Sequence, residues 1–198
     1  MNRVNADKLF QSEIQEIIAS NKKPTLLLHS CCAPCFTGCI ERLKDFFSVT
    51  VFFYNPNMDT QEEFNLRRNE QMRICSNFGV NYQEIEYNHQ EFLDVVTGKE
   101  NQKEGGTRCQ ECFTLRLKKT AEYAKKFGFD YFATTLTLSP LKNAEKINKI
   151  GLSLQELIGV KYLVSDFKKR GGYIRSIELS KTFNLYRQNF CGCEFSKR

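Results

Sequence analysis

The stretch TLLLHSCCAPC, from Thr25 to Cys35, decides how this chain reads. Thr25–His29 is short and apolar almost throughout, as expected of a strand buried on both faces. A loop carrying Cys31, Cys32 and Cys35 follows, stiffened by Pro34, and leads into a helix expected over 36–46. Further buried strands are expected at 49–54, 80–87, 131–135 and 161–164. Helices are expected at 5–20, 60–78, 90–96, 109–127 and 143–158, with another around 175–185. Their expected anchors are Leu9, Ile14, Ile17 and Ile18 in the first helix, and Phe64, Met72 and Ile74 over 60–78. Phe113, Leu117, Ala121 and Ala124 make a stripe along 109–127, which Gly128 should stop. Apolar strands alternating with helices predict an α/β fold, a mainly parallel sheet of about five strands with helices on both faces. Ligands of such sheets bind beyond the carboxyl ends of the strands, and the cysteine loop leaves the first strand at that edge.

With 198 residues the chain should form one domain over 1–198 with its own core. Hydrophobic residues at 41% and charged residues at 26% exclude a disordered chain. No apolar run approaches the ~20 residues that cross a bilayer, and the polar N-terminus does not read as a secretory signal. A cytoplasmic protein without a membrane partner is expected. The net charge of +6 lies in one place. Residues 161–198 hold nine Lys/Arg against three acids, while 1–160 balance to zero. A basic end on a neutral body suits a polyanion, with nucleic acid the first candidate.

Nine cysteines in a chain with no sign of an oxidising destination point to metal or redox chemistry rather than disulfides. Adjacent Cys31 and Cys32 point in different directions and can serve different centres; with Cys35 they sit where a helix dipole favours thiolate. Cys109 and Cys112 form a CxxC at a helix start, with both sulfurs on one side of the first turn. Gly192 between Cys191 and Cys193 allows the tight backbone that turns both sulfurs to one point. These seven thiols could converge. A [4Fe–4S] cluster and a tetrahedral zinc each take four, so the surplus could hold a second, more open metal or form a redox dithiol. Cys39 and Cys75 read as core, and His29 and His89 are too few for a histidine-rich site. Thr134, Thr135 and Ser139 follow the fourth strand with hydroxyls that suit a phosphate or sugar. Asp166, after the fifth strand, is a candidate proton donor. Arg67, Arg68 and Arg187 are candidates for phosphate contact.

LLLHSCCAPC, FFYNPN, RCQEC with its following RL, TTLTLSPLKN and LYRQNFCGC resemble, in the same order, the QueH family of epoxyqueuosine reductases. The resemblance runs from about Thr25 to Phe195. It implies reductive removal of the epoxide oxygen of epoxyqueuosine in tRNA, giving queuosine without cobalamin. It implies a [4Fe–4S] cluster with a mononuclear iron beside it, and an electron donor that the sequence does not identify. Cys31, Cys32, Cys109, Cys112, Cys191 and Cys193 are the implied ligands, undivided between the two centres. Cys35 stands where family members carry aspartate or cysteine. The implied fold is that of adenine nucleotide α-hydrolases (Rossmann-like), but the CCAPC loop replaces the Gly-rich phosphate loop and argues against ATP. Asp166 or Tyr186 would supply a proton. Arg187 and Gln188 join the threonines and Ser139 as substrate contacts, and the basic segment 161–198 would hold the anticodon arm while returning cysteines to the site. Three rivals remain: a cluster-dependent tRNA-thiolating enzyme, a zinc-stabilised RNA-binding module and a thiol–disulfide oxidoreductase.

Overall fold

The computed structural model describes residues 5–197. Five parallel strands, β1 (Thr25–His29), β2 (Ser48–Phe53), β3 (Asn81–Glu84), β4 (Tyr131–Thr134) and β5 (Lys161–Tyr162), form one sheet in the order β3-β2-β1-β4-β5. The chain steps outward from β1 to β3, then returns to the other side of β1 for β4 and β5. The sheet therefore reverses its winding between β1 and β4, where His29 stands beside Thr134. That reversal opens a crevice at the carboxyl edge.

Among the described residues seven α-helices flank the sheet: α1 (Ala6–Ser20), α2 (Ala33–Ile40), α3 (Gln61–Phe78), α4 (Gln90–Val96), α5 (Thr107–Lys126), α6 (Ala144–Ile158) and α7 (Gly172–Thr182). Side chains alternate across β1 even though its three central residues are all leucine. Leu26 and Leu28 pack with Phe10, Phe36 and Ile74 on one face. Leu27 packs with Phe113, Leu117 and Ile147 on the other. The stripe Phe113, Leu117, Ala121 and Ala124 is buried as its spacing predicts, and Cys39 and Cys75 lie in the core.

Several boundaries and faces differ from expectation. α2 begins at Ala33, so Cys35 is helical rather than part of a loop. Pro34 fits a first turn, and the Phe36 amide bonds to the Cys32 carbonyl at 3.1 Å. Beyond Ile40 the chain runs through mixed turns rather than a regular helix to 46, with Leu43 N–H on Ile40 O at 3.0 Å beside Lys44 N–H on the same oxygen at 2.9 Å. α1 buries a narrower stripe, Phe10, Ile14 and Ile17, leaving Leu9 and Ile18 exposed. α3 buries Phe64, Arg67, Gln71, Ile74 and Cys75, and Met72 faces out. β3 is a short edge strand, and α7 starts at Gly172 rather than near 175. α2 and α7 pack closely because Gly38 has no side chain: a Cβ there would come within 2.8 Å of Ser176 Cβ.

Candidate metal centre at the carboxyl edge

The end of β1 delivers Cys31 and Cys32 to the winding reversal, and the first turn of α2 adds Cys35. Their three sulfurs lie within 4.8 Å of one another, with Cys31 and Cys32 Sγ 3.8 Å apart. Among the described residues no other three metal-ligating side chains come so close. Thr135 Oγ1 stands 3.8 Å from Cys31 Sγ. Cys32 is the N-cap of α2 but makes no capping bond through its side chain, so its sulfur is left to the site. Hydrogen bonds from Cys32 and Cys35 hold the Cys31 pKa well below the usual thiol value. The same bond to Cys31 pushes Cys32 up to about 12, and Cys35 also rises. One negative charge suppresses the next, so a cation is needed to hold all three as thiolates.

His29 beneath them is a strut. Its Nε2–H donates to the Tyr54 carbonyl at 3.1 Å, leaving Nδ1 to accept from Thr134 Oγ1 at 2.9 Å. Burial lowers its pKa to about 3 and keeps it neutral. Thr134 also caps the turn over Thr135–Leu138, accepting from the Leu136 amide at 3.1 Å.

Four more sulfurs gather next door. Cys109 and Cys112 face inward from the first turn of α5, where Cys109 Sγ accepts the Gly105 N–H at 3.2 Å. Cys191 and Cys193 come from the C-terminal segment. This segment is tied down by Asp59 N–H on Gly192 O at 3.0 Å, Arg67 Nη1 on Cys191 O at 3.3 Å, and an ion pair between Lys197 and Asp59. Gly192 has φ +118°, and a Cβ there would lie 3.3 Å from Asn57 Nδ2 and 3.4 Å from Arg67 Nη1. The backbone angle favours glycine, and the tight space adds to that preference. The four cysteines line a small cavity of about 20 Å³. Cys191 also borders a larger one of about 270 Å³ that holds Cys31, Cys32 and Cys35 at its base. Burial pushes Cys112 up to about 12 and raises Cys193.

Ser139, Lys142, Tyr173, Arg187 and Gln188 line the larger cavity. Burial works against the Lys142 ammonium, but the thiols of Cys191, Cys31 and Cys35 hold its pKa above the ordinary value. Arg187 Nη1 donates to Ser180 Oγ at 3.0 Å, and its guanidinium lies 5.9 Å from the Tyr173 ring centroid. Sequence reasoning named Ser139, Arg187 and Gln188 but missed Lys142 and Tyr173. Lys142 lies within the TTLTLSPLKN motif and Tyr173 in none, and packing of α7 against α2 and of the 139–142 turn brings both to the rim. Arg67, a candidate for phosphate contact, is buried at the cavity wall, while Arg68 is half-buried and bonds Asn69. Asp166 pairs with Lys168 at 2.7 Å and does not line the cavity. Nor does Tyr186, whose amide donates to Glu70 at 2.8 Å and whose hydroxyl faces Glu63 at 3.4 Å. Within the basic segment Lys161, Lys168, Arg170, Arg175 and Lys197 are ion-paired, which leaves fewer free cations than the sequence count suggests.

These features define a doubly wound α/β protein that carries a multi-cysteine site of metal-binding type at its winding reversal. The sequence profile described as "Epoxyqueuosine reductase QueH" matches residues 26–198, and the chain belongs to that family. The epoxyqueuosine reductase QueH of Streptococcus pyogenes serotype M1 is 39% identical over 99% of this chain and 79% of its own length. That of Thermotoga maritima is 38% identical over 87% and 90%. The U34-tRNA thiolase NcsA from Methanococcus maripaludis, solved with its [4Fe-4S] cluster, superposes with a TM-score of 0.54 at 12% identity. The match covers 96% of this chain and 69% of that one. This likeness confirms the adenine nucleotide α-hydrolase-like fold and nothing more. Among the described residues no helix is long and apolar enough to cross a membrane.

Proposed function

We propose that this chain is an epoxyqueuosine reductase, an oxidoreductase acting on tRNA. The observation that carries the reading is the pair of adjoining sulfur-lined cavities sharing Cys191, one opening to a polar mouth at the winding reversal. The overall change is epoxide plus two electrons plus two protons to alkene plus water. The electrons come from an external protein or small-molecule reductant, and no cobalamin takes part.

The donor sets fit two iron groups of different size. A single tetrahedral ion with metal–sulfur bonds of about 2.3 Å spaces its sulfurs about 3.8 Å apart. Cys31 and Cys32 stand at that spacing and Cys35 completes the trio. A [4Fe–4S] cubane carries one thiolate on each iron and spreads them wider. Cys109, Cys112, Cys191 and Cys193 surround one cavity without closing to single-ion distance, so they are assigned to the cluster and the trio to the mononuclear iron. When bound, these groups supply single electrons and a Lewis acid toward the epoxide oxygen. The chain's own residues do the rest. Arg187 and Gln188 at the mouth receive the substrate's polar edge, and Tyr173 offers a ring for a base to stack on. Lys142 holds a proton at the rim. Asp166 and Tyr186 remain candidate donors only through movement or water, since neither borders the cavity; Thr134 and Thr135, expected as substrate contacts, are fully buried and do not line it either. The free cations of the basic segment hold the anticodon arm through its phosphates.

The test is anaerobic purification with iron and sulfide analysis, then incubation with epoxyqueuosine-containing tRNA and dithionite. Queuosine among the digested nucleosides is the expected result. Full iron and sulfide content with no conversion would sink the assignment, and zinc with no sulfide would favour the RNA-binding module.

A further inference from the structure

Three arginines are buried beside the sulfurs, and they are held differently. Arg108, 3% exposed, gives Nη1–H to the carbonyls of Glu100 at 2.5 Å and Gln102 at 2.6 Å and lies against the Phe195 ring. Arg67, 2% exposed, is held by Glu63 at 2.5 Å. Arg116, on α5 one turn after Cys112, is 0% exposed. Its Nε–H reaches the Cys112 carbonyl at 3.4 Å and its Nη1–H reaches Asn55 Oδ1 at 3.4 Å, both long bonds to neutral acceptors. Nη2 has no hydrogen-bond partner. Phe113 lies 5.8 Å from its Cζ, and the groups that act most strongly on it include no carboxylate. Asn55 is itself fixed, donating through Nδ2 to the Ser30 carbonyl at 2.9 Å, so its oxygen cannot turn to improve the contact.

A guanidinium does not shed its charge on burial, and an unpaired buried cation is costly. The chain therefore has to supply negative charge by another route. The groups that act most strongly on Arg116 are thiols from both sets, Cys112, Cys191, Cys31 and Cys193. Its bonds to the Cys112 carbonyl and to Asn55, which is held by the Ser30 carbonyl next to Cys31, place the cation between the quartet and the trio, and both sets become anionic when they bind metal.

We propose that Arg116 is the fixed counter-charge of the sulfur site: its open Nη2–H donates to a sulfur of the bound group, and its charge eases the entry of electrons. The proposal rests on the reading that the quartet holds a redox-active iron–sulfur group. Each reduction takes one electron from the external reductant and adds one negative charge to the site. A fixed cation within the low-dielectric interior stabilises the reduced form more than the oxidised one. Arg116 is a positioning and tuning residue, and it touches no substrate.

The experiment compares wild type, Arg116→Gln and Arg116→Lys, each purified anaerobically. Iron and sulfide are measured first, then the midpoint potential of the cluster by dithionite titration followed by absorption and EPR. Arg116→Gln is expected to drop the reduced-to-oxidised ratio at a fixed poise about tenfold or more, with Arg116→Lys recovering most of it. Should the glutamine variant fail to retain iron, a lysine variant that keeps both iron and potential supports the counter-charge. A lysine variant that loses iron as the glutamine variant does overturns it, because charge is then not what matters. An iron-loaded glutamine variant with unchanged potential also overturns it while leaving the reductase assignment intact. Wild-type protein that takes up no iron and sulfide overturns both.

Discussion

The trio and the quartet adjoin, yet they are built in opposite ways. Cys31, Cys32 and Cys35 come from five consecutive residues, fixed by the end of a central strand and a proline-led first turn of α2. Their geometry exists as soon as β1 pairs with β2 and β4. Cys109 and Cys112 must wait for Cys191 and Cys193, which arrive about 80 residues later on a segment with one short 3-10 turn of its own. That segment is held by contacts to the 55–59 turn and Arg67, not by a helix or strand. The difference teaches that one half of the site is preorganised by the sheet, whereas the other depends on tertiary anchoring and on whatever binds there.

The largest expected effect breaks the comparison directly. Cys112→Ser should remove the acid-labile sulfide and most of the iron. Cys35→Ser should leave the sulfide in place and cost about one iron per chain, since the trio is assigned a single ion and the quartet the cluster. Iron and sulfide analysis of anaerobic samples decides it. If the two variants trade outcomes, the division between the sets is reversed. Both variants should lose conversion of epoxyqueuosine in tRNA.

A smaller effect sharpens the contrast in anchoring. Gly192→Ala places a Cβ against Asn57 and Arg67 at a φ of +118°, where a side chain is strained. A cost of about 1–3 kcal/mol is expected, seen as a lower Tm of the iron-free protein. Sulfide should be released faster under a chelator, while the iron assigned to the trio is retained. Equal loss from both sets would show that the two halves are held as one unit.

The preorganised half was the half legible in the sequence. TLLLH followed by CCAPC announces a central strand and its edge loop, and the i, i+4 stripe of α5 announces the helix that carries Cys109 and Cys112. The convergence of the C-terminal pair was legible from the glycine between its two cysteines and from the family resemblance, but not the contacts that hold it there. Arg67 and Arg116 were not legible as buried cations. An arginine on a helix reads as surface until tertiary packing closes over it, and nothing within a few residues signals that closure. Lys142 lies within the TTLTLSPLKN motif but was not singled out, because its place at the rim depends on how the 139–142 turn packs. Asp166 and Tyr186 were singled out by position after a strand and beside the CGC pair, but their partners, Lys168 on one side and Glu63 and Glu70 on the other, lie outside the cavity. Leu9, Ile18 and Met72 misled because apolar residues flanking a helical stripe are common on exposed surfaces, and periodicity alone does not fix the stripe's width.

The smallest effect separates ligation from mere sulfur chemistry. Cys39 follows Cys35 by one turn of the same helix, yet its side chain is fully buried among the aliphatic and aromatic residues of the core, and burial raises its pKa well above the usual thiol value. A thiol that resists ionisation in an apolar setting behaves as a small hydrophobe. Cys39→Ala should therefore leave iron, sulfide and conversion unchanged and lower stability by about 1 kcal/mol through the lost sulfur contacts. A denaturant melt of the iron-free protein measures the second quantity, and metal analysis the first. Loss of an iron from Cys39→Ala would extend the trio by a turn of α2 and remove the sharp boundary between ligand and core that the contrast with Cys35 draws.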